Sequence, residues 1–227
     1  LRVLSRLEVG PPRVERNRLT APYRVTRDDE TIETELVYRY QEDVFDPSDV
    51  ASVNVSSMIS AQVALNYGLF CDEIVLHGAF DEADRRFLID MARNTAREIY
   101  VQKFLEPNPF LRSPADKLPA IKRDDYLHAK LQYPDSVAPP PSRKEKTVAF
   151  DRGRHLILSS GGKDSLLSFG LLRECNFETH PVFINESGKH WFTALNAHRH
   201  FAQNVPYTAR VWTNADRVFA WMLRQLP

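Results

Sequence analysis

The stretch Leu156-Ile157-Leu158-Ser159-Ser160-Gly161-Gly162-Lys163-Asp164-Ser165 constrains the fold more than any other part of the chain. An apolar run breaks into two adjacent glycines, and a new apolar pattern starts at once. A strand that hands over directly to a helix needs such a turn, because glycine takes positive φ and lets other groups approach its backbone. The chain holds only 8 glycines in 227 residues, so two side by side mark a position with little tolerance for side chains. The same rhythm continues to the end. "TVAFD", "HLILS", "THPVFIN" and "TARVWT" read as strands, while "DSLLSFGLLREC", "HWFTALNAHRHFAQ" and "DRVFAWMLRQL" read as helices. Strands alternating with helices of this length predict βαβ units and a parallel sheet. The unbroken Leu156-Ile157-Leu158 run predicts a strand covered on both faces.

The earlier residues have a different character. Roughly the first forty-five read as β, with "YRVTRDD" and "TIETELVYRY" joined by a hairpin turn at Asp28-Asp29-Glu30. Ile32, Thr34, Leu36 and Tyr38 alternate onto one face. A helix is predicted after Asp46-Pro47-Ser48, capped by Ser48 or Asp46 and ended by Gly68. "CDEIVLHG" reads as a strand, residues 81–97 as a helix, and "EIYVQKFL" as a further strand. Prolines then crowd residues 106–138, and Pro139-Pro140-Pro141 continues neither a helix nor a central strand. The predicted organisation is a small α+β domain over 1–138, a linker over 139–146, and a parallel α/β domain over 147–227.

Lys plus Arg and Asp plus Glu number 30 each, so no global field draws the chain to nucleic acid or anionic lipid. No apolar run is long enough to span a bilayer. The first residues carry charges throughout and lack the apolar stretch of a secretory signal, so a cytoplasmic protein is expected. Cys71 and Cys175 read as separate reduced thiols.

The glycine turn also has a chemical reading. In open α/β sheets ligands bind beyond the carboxyl ends of strands. Gly161 and Gly162 let backbone N–H groups close around a phosphate, and the following helix N-terminus favours an anion. Lys163 adds a positive charge, Ser160 and Ser165 add hydroxyls, and Asp164 suits Mg²⁺ or a helix cap. The full Ser-Gly-Gly-x-Asp-Ser string arises by chance in roughly one in several thousand chains of this length. It is neither a Walker A loop nor a dinucleotide Gly-x-Gly-x-x-Gly. "NESGKHW", from Asn185 to Trp191, follows the next strand, so Asn185, Glu186, Ser187 and Lys189 are candidates for ribose, Mg²⁺ or substrate. Arg85 and Arg86 read as solvated helix charges rather than phosphate ligands. His198 and His200 point apart on a helix, which disfavours shared metal ligation.

"SGGKDS", residues 160–165, resembles the PP-loop signature of the N-type ATP pyrophosphatases. The resemblance implies an adenine-nucleotide α-hydrolase fold, ATP with Mg²⁺, and adenylation of a substrate oxygen with release of pyrophosphate. It implies that residues 160–165 contact the phosphates, with Lys163 and Asp164 catalytic and Asp164 the Mg²⁺ ligand. It implies that Asn185 and Glu186 stand near the nucleoside. More broadly the layout is similar to the UDP-N-acetylmuramoyl-L-alanyl-L-glutamate epimerase family, in which the loop reads Gly-Gly-Gly-Lys-Asp-Ser, whereas Ser160 stands first here. That likeness implies a UDP-muramoyl dipeptide as the small-molecule substrate. A tRNA-modifying enzyme and an adenine-nucleotide-binding module without turnover are the alternatives, and nucleic acid enters as a partner only under the first. A complete PP-loop domain is longer than these eighty residues, so the chain is expected to be the N-terminal part of a longer protein.

Overall fold

The computed structural model describes residues 2–106, 108–111, 113, 115–117, 120–135, 151–186, 188 and 190–226. The 139–146 linker and most of the "TVAFD" strand lie outside the described residues, as do Ser187 and Lys189. The strands are β1 (Leu4–Val9), β2 (Arg13–Glu15), β3 (Arg18–Arg27), β4 (Glu30–Tyr40), β5 (Cys71–Leu76), β6 (Lys130–Gln132), β7 (Arg154–Ser159), β8 (Glu178–Asn185) and β9 (Ala209–Thr213). The α-helices are α1 (Val50–Ala61), α2 (Glu82–Phe104), α3 (Lys163–Glu174), α4 (His190–Asn204) and α5 (Ala215–Leu223).

All nine strands belong to one mixed sheet, in the order β6-β5-β1-β3-β4-β9-β8-β7, with β2 paired to β3. The chain is therefore α/β. β7, β8 and β9 are parallel to one another, as are β1, β5 and β6. The expected hairpin is present: Arg27 pairs with Glu30 across a turn whose Asp28 and Asp29 have φ of 47° and 66°. Two left-handed residues match the twist of paired strands, and Asp tolerates that conformation. β4 then pairs antiparallel with β9, so the N-terminal strands and the C-terminal βαβ units share the sheet.

The main core lies on one face of β1, β3, β4 and β5. Leu7, Tyr23, Leu36 and Ile74 meet the 3₁₀ turn Gln62–Tyr67, α2 and α5, the last contributing Ala215, Val218 and Met222. A second core lies under α3 and α4 on the opposite face of β8. There Phe183 meets Ala194 and Phe201, and Phe169 of α3 packs edge-on against Phe201 at 4.7 Å.

Three expectations are corrected. The "EIYVQKFL" segment is not a strand, because α2 runs on to Phe104. Ala96, Ile99, Tyr100 and Phe104 keep helical spacing onto Leu69 and Tyr126, and that burial overrides the β propensity of Ile99, Tyr100 and Val101. The strand that follows α2 is β6, inside the proline-rich segment, and it pairs parallel with β5. The N-cap position of α1 is Asp49, whose side chain makes no cap hydrogen bond, while Asp46 accepts the Ser48 N–H at 2.9 Å. Third, β7 is not covered on both faces. Among the described residues it is the edge strand, and Leu156 and Leu158 are each 63% exposed on the face away from α3 and α4.

Candidate functional site

β7 ends at Ser159 and α3 begins at Lys163, so Ser160, Gly161 and Gly162 form the whole connection. Gly161 has φ +76°, and a Cβ there would lie 2.6 Å from the Ala194 Cα and 3.1 Å from the Thr193 carbonyl oxygen. Backbone conformation and the approach of α4 therefore both demand glycine. Gly162 is different. It is the N-cap of α3 with φ −81°, and its nearest neighbour to an added Cβ is the Ser160 Oγ at 3.4 Å. Nothing steric requires Gly162; the absence of a side chain leaves the helix N-terminus open to solvent.

Two serines brace the turn. The Ser159 hydroxyl accepts the Gly161 N–H at 3.2 Å and lies 3.0 Å from the Ser165 Oγ, which donates to the Gly162 carbonyl at 3.0 Å. Ser165 thus serves the loop from within, while Ser160 faces solvent. Lys163 and Asp164 lie exposed in the first turn of α3, and neither side chain forms an ion pair among the described residues. A free ammonium and a free carboxylate at a helix N-terminus are available for a ligand.

Beyond the loop is an open cleft of about 270 Å³, lined by Leu158, Ser159, Ser160, Ile184, Glu186, Trp191 and Ala194. That volume is just under the ~300–1,000 Å³ usual for ligand pockets. It occupies the carboxyl ends of the parallel strands, where α/β sheets hold ligands. Of the residues singled out in the sequence, Ser160 and Glu186 line the cleft, Gly161 and Gly162 complete its adjoining turn, and Lys163, Asp164 and Ser165 lie in the first turn of α3. Asn185 ends β8 beside it and pairs with Trp212.

Ser159, Trp191 and Tyr38 were not among the sequence candidates. Ser159 is buried, and its position as the last inward residue of β7 after His155 and Ile157 was the available signal. Trp191 closes the "NESGKHW" stretch and stands in the first turn of α4. Tyr38 arrives through the β4–β9 pairing. Burial raises its phenol pKa; a hydrogen bond with the Thr213 side chain opposes this, and the nearby Glu186 carboxylate adds to the rise.

His198 packs against Phe183 and Trp191, and burial first, then Arg210, lowers its pKa. Among the described residues no group of three or more His, Cys, Asp or Glu side chains is arranged to hold a metal ion, and no helix is long and apolar enough to cross a membrane. Arg85 lies over the Tyr133 ring at 5.4 Å, on a different part of the sheet. Compared with protein-family models, with curated proteins and with solved structures, the chain gives no match.

Proposed function

We propose that the turn over residues 160–165 binds the phosphates of ATP, and that the chain is the nucleotide-binding part of an adenylating enzyme. The observation that carries this reading is the left-handed Gly161 pressed against α4, in a turn braced by Ser159 and Ser165, beside an unpaired Lys163. A turn held this firmly is pre-organised, so it binds an anion without rearranging first. The free N–H groups at the start of α3 and the Lys163 ammonium suit a polyphosphate. Asp164 is the residue suited to accompanying Mg²⁺, which supplies charge neutralisation when bound. Leu158, Ile184 and Trp191 offer apolar surface to a base, and Glu186 is an acceptor for hydroxyl groups.

In this reaction a substrate oxygen attacks the α-phosphorus, the bond to the β-phosphate breaks, and pyrophosphate leaves. The finer reading assigns the attacking oxygen to the terminal glutamate α-carboxylate of a UDP-muramoyl dipeptide. The acyl-adenylate so formed has an acidified Cα–H; removal and return of that proton on opposite faces inverts the centre, and water then cleaves the acyl–phosphate bond to release AMP and the free carboxylate. The tRNA alternative receives less support. Most arginines of the N-terminal strands meet carboxylates, Arg6 and Arg24 with Glu8, Arg24 also with Glu33, Arg13 with Glu35 and Arg27 with Asp28, which leaves Arg18 and Arg39, opposite each other on β3 and β4, as the strand arginines with no ion pair among the described residues.

The test uses the full-length protein with ATP, Mg²⁺ and the muramoyl dipeptide. AMP and pyrophosphate are expected in equal amounts, with solvent deuterium entering the glutamate Cα only when ATP is present. Lys163→Ala is expected to lower turnover by ~10²–10³, the usual cost of one positioned donor. Formation of ADP and inorganic phosphate, or unchanged turnover in Lys163→Ala, overturns the assignment.

A further inference from the structure

β4 and β9 pair through only three residue pairs, Tyr38 with Thr213, Arg39 with Trp212 and Tyr40 with Val211. One side chain then prolongs the ladder. The Asn214 Oδ1 accepts the Val37 N–H at 2.7 Å, its Nδ2 donates to the Glu35 carbonyl at 2.8 Å, and its own N–H donates to the Val37 carbonyl at 3.3 Å. The amide thereby stands in for a further stretch of strand against β4. The Asn214 carbonyl also accepts the N–H groups of Arg217 and Val218, so the same residue starts α5.

What Asn214 fixes leads to the cleft. The Ala215 N–H donates to the Thr213 Oγ1 at 3.1 Å, and the Tyr38 hydroxyl pairs with that same side chain. Asp216 follows, with its Oδ2 3.2 Å from where a Cβ on Gly188 would stand. Gly188 is two residues beyond Glu186, which lines the cleft. The phosphate turn rests on other supports, namely Ser159, Ser165 and the Ala194 backbone. The phosphate turn therefore has braces of its own, although the Trp191 N–H, which donates to the Gly188 carbonyl at 3.2 Å, also ties the Glu186 wall to α4.

We propose that Asn214 is a positioning residue for the nucleotide cleft: it registers the end of β9 and the start of α5 to the N-terminal hairpin, and through Asp216 and Gly188 this sets the wall carrying Glu186. The proposal rests on the nucleotide reading of the cleft, and it makes the hairpin part of the site rather than a neighbour. The wall it sets is the one beside the nucleoside, so its loss weakens recognition of the nucleoside and spares that of the phosphates.

Amide hydrogen exchange on the full chain tests the coupling without any ligand. In Asn214→Ala, exchange over residues 183–188 is expected to rise about tenfold, while residues 156–166 stay at the wild-type rate. By titration calorimetry the variant is expected to bind ATP about tenfold more weakly and pyrophosphate unchanged. Asn214→Asp keeps the acceptor for Val37 but loses the donor to Glu35, and should fall between. Tyr38→Phe, which removes only the hydroxyl on Thr213, should show the same regional pattern at smaller size, and it decides the matter if Asn214→Ala does not fold. Faster exchange confined to α5 means that Asn214 only caps that helix and overturns the proposal. An equal rise over 156–166, or equal losses for ATP and pyrophosphate, overturns it as well. A wild-type chain that binds pyrophosphate but not ATP defeats the nucleotide reading, while the exchange pattern still decides the coupling.

Discussion

The two glycines of the loop have separate roles that neighbouring positions in a sequence do not reveal. Gly161 combines positive φ with a site where a Cβ would lie 2.6 Å from the Ala194 Cα, whereas Gly162 has ordinary backbone geometry and room for a Cβ in ordinary contact with the Ser160 Oγ. Gly161→Ala is expected to cost about 1–3 kcal/mol, the cost of a residue held in a sparsely populated conformation, with the clash added. Gly162→Ala is expected to stay within about 1 kcal/mol of wild type, the usual scale of a Gly-to-Ala change in compatible backbone, while placing a methyl group at the N-terminus of α3. Urea unfolding of the two variants separates these costs, and equal losses would defeat the distinction. Cys71 and Cys175 also differ by environment. Burial pushes the Cys71 thiol up to about 12, while Cys175 is exposed. The folded state thus holds the Cys71 proton more tightly than the unfolded state, in which the thiol has its ordinary value of 9.0. Its contribution to stability is complete below about pH 9 and declines as pH rises from there toward 12. Native protein should accept one alkyl group from iodoacetamide at pH 8 and unfolded protein two, counted by mass spectrometry.

At the level of elements, α2 shows local and distant signals at odds. Its start is written locally: Asp81 accepts the Asp84 N–H at 2.8 Å and Asp84 accepts the Asp81 N–H at 3.0 Å, a reciprocal cap. Asp81→Ala should cost about 1 kcal/mol, seen as a fall in Tm of about 2–4 °C for a chain of this size. A Tm unchanged within error would mean that tertiary packing alone holds that end. The far end is not written locally. Ile99-Tyr100-Val101 has strand character, and only the Leu69 and Tyr126 surface, distant in sequence, keeps it helical. β6 was hidden for the converse reason, since three residues among prolines give no period to detect and acquire strand geometry only against β5. The hairpin, β5 and the β7–α3–β8–α4–β9–α5 succession were legible, because turn chemistry and apolar period act over a few residues.

For the whole molecule, the pairing of β4 with β9 is decisive. It places Met222 and Val218 of α5 in the core built by β1, β3, β4 and β5. α5 therefore depends on the N-terminal strands for burial, while α3 and α4 have a core of their own around Phe183 and Phe201. Unfolding followed by the fluorescence of Trp191, Trp212 and Trp221, all late in the chain, should coincide with unfolding followed by far-UV circular dichroism. Separate midpoints would show that the two segments melt independently despite the shared sheet.

The sequence by itself determined the α/β character, the parallel C-terminal rhythm and the Ser160-Gly161-Gly162 turn between β7 and α3. Each of these follows from backbone preference or side-chain period within a short window. Only the tertiary structure decided that Gly161 is wedged against α4, that Ser159 and Ser165 brace the loop, that Tyr38 comes near Glu186, and that Asn214 bonds to β4. It also decided that β7 leaves Leu156 and Leu158 exposed on one face. These depend on which distant strands and helices become neighbours. Asn214 and Val37 are 177 residues apart, and no local preference encodes their meeting.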